Sequence, residues 1–160
     1  KKYVLANLNN PSQIAIATSL AVRTKRALLL TGNGLMNLET AQFLVGIEEP
    51  DVIVVGTTDD ISNAAMASVE NAKRLDTSDL GEASLNSLYQ NQDTTRGLVV
   101  MGDETPVWKS LLLAATGLPV ILDQDSIRAR AIKWLRRQPL STVVVSLGAA
   151  ELFVTKVRRS

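Results

Sequence analysis

Histidine and cysteine are both absent from this chain of 160 residues. Their absence excludes the commonest general base, the cysteine nucleophile, every disulfide and most transition-metal sites. A serine nucleophile would need a lysine as its base, and no Ser-x-x-Lys stands in a suitable context. Aromatic residues make up 4% of the chain. Both tryptophans, Trp108 and Trp134, fall on predicted helices, where packing is the ordinary role and ligand stacking the alternative. No apolar run reaches the ~20 residues of a membrane-spanning helix. An excess of one charge is missing too, since the net charge is +1. Residues 1–80 carry a net −2 and residues 81–160 a net +3, which falls short of a nucleic-acid footprint. The chain opens on Lys1-Lys2 rather than Met, which fits a processed or excised piece from which any signal peptide is gone.

What the chain does have is apolar runs alternating with helical patterns. At 46% apolar and 21% charged it is globular in composition and long enough for a substantial core. Gly97 to Leu122 reads as strand, turn, helix and strand within 26 residues. Leu98–Met101 is the first strand, Thr105 the N-cap and Pro106 the first helical position, where a missing N–H costs nothing. Gly117 stops the helix as a left-handed cap, and Val120-Ile121-Leu122 follows as a buried parallel strand. The same device occupies Tyr3 to Leu30: strand Val4-Leu5-Ala6, cap Asn10, Pro11, helix Gln13–Val22, strand Ala27–Leu30.

Between them the pattern predicts a helix over Asn37–Val45 ending at Gly46, a strand over Asp51–Val55 and a helix over Ile61–Asn71 capped by Asp59 or Asp60. A short strand at Lys73–Leu75, a linking helix over 78–89 and a polar loop over 90–96 follow. After Leu122, Asp125 or Ser126 caps a helix running to Arg137. Thr142–Val145 is the next strand, Gly148 a turn and Glu151–Val157 a last helix. Pro11 aligns with Pro106, Leu28 with Val120 and Val52 with Thr142, at offsets of 95, 92 and 90 residues. The fold expected is therefore α/β, as two tandem Rossmann-like repeats with doubly wound, mostly parallel sheets: residues 1–76 and residues 77–160.

Candidate ligand loops are weak. Gly32-Asn33-Gly34 follows a strand, but Asn37 stands where a dinucleotide loop needs its third glycine. Gly102-Asp103-Glu104 sets two acids at a strand end, but the lone Asp and the Lys that a phospho-receiver also needs do not fall into place. No cofactor, metal or catalytic residue is expected. Lys25 and Lys109 read as solvated helix ends, and the cations Arg128, Arg130, Lys133, Arg136 and Arg137 form one face of the last long helix, a solvated face or an anion site.

The two-copy unit resembles the cell wall binding repeat type 2 family of cell-surface and S-layer anchoring proteins. The words that carry the resemblance are VLANLNNPSQIAIATSLA (4–21), ALLLTG (27–32), DVIVVGTTDDIS (51–62) and KRLDTSDLGEASL (73–85). VVMGDETPVWKSLLLAATGLPVIL and TVVVSLGAA repeat the series. The chain departs from the family at Ser12-Gln13-Ile14 and Val107-Trp108-Lys109, where the repeats carry Asp-Ala-Leu, and it has two copies where the family has three packed around a pseudo-threefold axis. The resemblance implies a non-catalytic, secreted module at the cell wall or cell surface. Its partners would be an anionic wall polymer or other surface-layer subunits, with homo-oligomers an option and no nucleic acid or membrane span. Arg74 matches the basic residue that opens the family's linking motif; Arg23, Lys25, Arg26, Arg128 and Arg130 join it as polymer-binding candidates by clustering. The alternatives are a protein–protein scaffold without polymer affinity and a nucleotide-binding α/β domain.

Overall fold

A computed structural model describes residues 1–32, 36–67, 69, 71–76, 78–90, 97–102, 106–137 and 143–147. Seven strands and six helices run through these residues. In chain order they are β1 (Lys2–Asn7), α1 (Pro11–Thr24), β2 (Ala27–Thr31), α2 (Leu38–Val45), β3 (Asp51–Val55), α3 (Asn63–Met66) and β4 (Lys73–Arg74). The second half adds α4 (Leu80–Leu88), β5 (Gly97–Met101), α5 (Val107–Ala114), β6 (Val120–Leu122), α6 (Asp125–Leu135) and β7 (Val143–Leu147).

All the strand pairs are parallel. One sheet has the order β2-β1-β3-β4 and the other β6-β5-β7. In each, the first strand lies between the two that follow it, so the crossovers leave in opposite directions and helices cover both faces. Side-chain alternation shows this directly. Val4, Ala6, Ile53 and Val55 meet α1, whereas Tyr3, Leu5, Val52 and Val54 meet Leu44 of α2 and Ala65 of α3. In the second sheet Leu98, Val100 and Ile121 pack against Leu85 and Leu88 of α4 and Ile127 and Ala131 of α6.

The opposite face of that second sheet joins the first. Val99, Met101, Val120 and Ala114 share one apolar cluster with Val4, Ala6 and the α1 residues Ala15, Ile16, Ala17 and Leu20. Helix α1 thus sits between the two sheets. Ser19 Oγ on α1 donates to Leu118 O (2.5 Å), and Arg23 donates to Ser87 O at the end of α4 (3.0 Å).

Local expectations meet mixed outcomes. Asn10 caps α1 by accepting from Gln13 N, with Pro11 as first helical residue. The helix runs past Val22 to Thr24 and ends on Lys25 in the left-handed region at φ 54°. Helix 61–71 is corrected to α3, four residues capped by Ser62. Asp60 is not its cap, because its carboxylate is taken by Thr57 N, Thr57 Oγ1 and Asn10 Nδ2; Asn71 at φ 62° ends the segment. Helix α6 starts at Asp125 after Gln124, and Asp125 pairs with Arg128 instead of capping. Helix α5 starts one residue after Pro106, and Gly117 takes φ 80° beyond its end. Packing, the ordinary role of a helical tryptophan, is corrected for Trp108, which is 65% exposed, while Trp134 packs on the α4–α6 cluster. The expectations for Asn33-Gly34, Asp103-Glu104, the Thr105 cap, residues 91–96, Gly148 and Glu151–Val157 lie outside the described residues.

Candidate functional site

The parallel register sets the amino ends of β1, β2 and β3 side by side. Lys2 pairs with Asp51 and Tyr3 with Ala27, so Lys2, Arg26 and Asp51 share one sheet rim. Helix α1 ends above this rim. Its last turn closes as a Schellman arrangement: Arg26 N donates to Ala21 O (2.9 Å) and Lys25 N to Val22 O (3.3 Å). Thr24 Oγ1 donates to Leu20 O (2.6 Å). The negative end of the helix is therefore answered by its own chain. The turn also delivers Arg23, Thr24, Lys25 and Arg26 to one place.

A cleft of about 350 Å³ opens there, lined by Lys2, Arg23, Thr24, Lys25, Arg26, Ile53 and Gln90. Four of these side chains are cationic and none is a carboxylate. Arg26 forms an ion pair with Asp51 (2.9 Å), also donates to Asp51 O (3.0 Å), and has a largely buried side chain. The Arg26 hydrogen bond holds the Asp51 carboxyl below its usual range. Burial pulls the Arg23 guanidinium down to about 10, so it keeps its proton at neutral pH. Lys2 and Lys25 are exposed at the mouth.

No protein-family model matches the chain, and no curated protein matches it either. Solved structures do, Cwp6 among them. Cwp6 from Clostridium difficile superposes with a TM-score of 0.75 at 20% sequence identity. The match covers 99% of this chain and 27% of the Cwp6 chain. At that identity the likeness establishes the fold alone.

The six cations expected from sequence do not form one site. Arg23, Lys25 and Arg26 converge on the cleft. Arg74 lies at the far rim, the carboxyl end of β3. There its guanidinium donates to Gly56 O (2.6 Å), Thr57 O (2.9 Å) and Ile61 O (2.5 Å), and burial lowers its pKa. It clasps the β3–α3 loop. Arg128 is held by Asp123 (2.9 Å) and Asp125 (2.6 Å). Arg130 is held by Glu82, whose hydrogen bond raises the guanidinium above its usual value. Lys2, Thr24, Ile53 and Gln90 are the lining residues that sequence reasoning missed. The signal for Lys2 was the parallel register, which places residue 2 beside the 26–51 pair; Gln90 arrives only because α4 packs against α1.

Proposed function

We propose that this chain is a non-catalytic cell-surface module, built of two tandem Rossmann-like repeats, that holds an anionic group of a wall polymer in the cleft at the end of α1. The convergence of Lys2, Arg23, Lys25 and Arg26 on one cavity carries this reading. The sequence resemblance to the cell wall binding repeats supports it, as does the shared fold with Cwp6, a cell wall protein. The matching centres of the two sheets, β2-β1-β3 and β6-β5-β7, support the duplication. No helix among the described residues is long and apolar enough to cross a membrane.

Binding of this kind is charge-assisted and screened by salt. The purified chain should be retained on isolated cell walls at low ionic strength and released as salt rises, and a Lys2→Ala/Lys25→Gly variant should be released at lower salt than the parent. No retention at the lowest salt sinks the reading. A second reading, an assembly module without polymer affinity, is favoured by one observation: Trp108 and Leu112, one helical turn apart on α5, are each 65% exposed. Light scattering separates the two, because self-association without wall retention belongs to assembly alone.

A further inference from the structure

The charge at the cleft mouth fixes what kind of anion it suits. Lys2 and Lys25 make no ion pair among the described residues, whereas Arg26 already serves Asp51. Two ammonium charges thus face the opening, with the Arg23 guanidinium in the wall behind them. A carboxylate or a phosphodiester brings one negative charge to such a site. A phosphomonoester brings about −1.5 to −2 at neutral pH and three acceptor oxygens. Among the described residues the remaining lining is uncharged: the Thr24 hydroxyl, the Gln90 amide and the Ile53 side chain. These suit the hydroxyls and C–H face of a sugar. The volume, about 350 Å³, sits at the small end of the ~300–1,000 Å³ of small-molecule sites. It accommodates one sugar unit with its anion, not a run of polymer.

We propose that the cleft binds a terminal sugar phosphomonoester, its phosphate held between Lys2 and Lys25 and its sugar against Gln90 and Ile53. This rests on the cleft being a ligand site, but not on the chain residing at a wall. The test is calorimetric titration of the 160-residue chain with glucose 6-phosphate, inorganic phosphate, glucuronate and dimethyl phosphate at low salt. Glucose 6-phosphate should bind at least about tenfold tighter than the two monoanions, because it carries twice their charge into the same field. It should also bind tighter than inorganic phosphate. Its affinity should fall several-fold from pH 7.5 to pH 5, where the monoester has lost its second charge at a pKa of about 6.

Lys25→Gly is the decisive variant. It removes an ammonium while giving the left-handed position the residue that adopts it most readily, so a fold defect does not mask the result. It should weaken glucose 6-phosphate about fivefold or more, in keeping with the loss of one charge-assisted contact. Equal affinity for glucuronate, equal affinity for inorganic phosphate, absence of binding, or an unchanged Lys25→Gly variant would each overturn the proposal. Wall retention without monoester binding discards the phosphomonoester and leaves the wall reading intact. Monoester binding without wall retention does the reverse.

Discussion

Lys25 answers two different demands. The Schellman turn needs its backbone at φ 54°, a region that costs an L-residue about 1–2 kcal/mol and that glycine enters freely. Its ammonium at the cleft mouth is what a glycine would remove. Lys25→Gly should therefore leave stability unchanged or raise it by up to about 1 kcal/mol, since the relief of strain is partly offset by the added freedom of the unfolded chain. Urea denaturation checks this, and a loss of stability would mean that the Lys25 side chain makes a favourable contact in the fold. Asp51 gives a second residue-scale prediction. Its folded pKa is depressed by Arg26, so its contribution is full above the unfolded value of about 3.9 and is lost as pH falls through the folded value. The carboxylate is half exposed, which limits the pair to about 0.5–1 kcal/mol. Stability curves of the parent and Asp51→Asn should differ by that amount at pH 6 and converge as the pH falls through the folded value. Parallel curves would show that Arg26 does not stabilise the ionised form.

At the scale of single elements, the β3–α3 connection is held by Arg74. The guanidinium bridges three carbonyls that have turned away from regular structure. Charge-assisted hydrogen bonds of this sort contribute about 1.5–3 kcal/mol each in favourable cases and are not additive. Arg74→Met, which keeps much of the aliphatic stem, should cost about 2–4 kcal/mol in chemical denaturation. It should leave wall or monoester binding unchanged, because Arg74 and the cleft occupy opposite rims of the sheet. A loss of binding without a loss of stability would return Arg74 to the ligand site. This residue also marks what sequence can and cannot show. A basic residue within a short strand was legible, but whether it faces a ligand or three backbone carbonyls depends on a loop path that local pattern does not encode. The strands and α1 were legible because their signals are local: apolar runs for β1, β2, β3 and β5, and Asn10-Pro11 for the cap. A helix at α3 was legible but its cap was not, because Asp60 is captured by Asn10, fifty positions away in sequence, and by Thr57, leaving Ser62 to cap it. In the cleft, Arg23, Lys25 and Arg26 were readable as neighbours, while Lys2 needed the strand register and Gln90 the packing of α4.

For the whole molecule, the position of α1 decides how separable its parts are. Seven of its fourteen residues are buried, including Gln13, Ile16, Ala17 and Leu20 as well as Ala15 and Ser19. A helix covering a single sheet buries one stripe; this one buries more, because a second face meets the other half of the chain. Ser19 and Val22 mark that face. Ser19 bonds to Leu118 O, and Val22 Cγ1 would lie 3.1 Å from a side chain added at Gly117. Small residues at Ala15 and Ser19 allow this close approach, and Arg23, one turn beyond Ser19, extends it to Ser87. Residues 1–76 produced alone would expose this second face and the apolar side chains now covered by Val99, Met101, Ala114 and Val120. A fragment of that size is already marginal, because small domains bury a low fraction of their surface. The fragment should therefore fail to melt cooperatively. In the intact chain, far-UV circular dichroism and tryptophan fluorescence, which reports only the second half through Trp108 and Trp134, should give coincident urea midpoints. Two separated transitions, or a fragment 1–76 that unfolds with its own sharp midpoint, would show that the repeats are independent domains that happen to touch. Coincidence would mean that the cleft, whose wall includes Gln90 beyond α4, exists only when both halves are folded together.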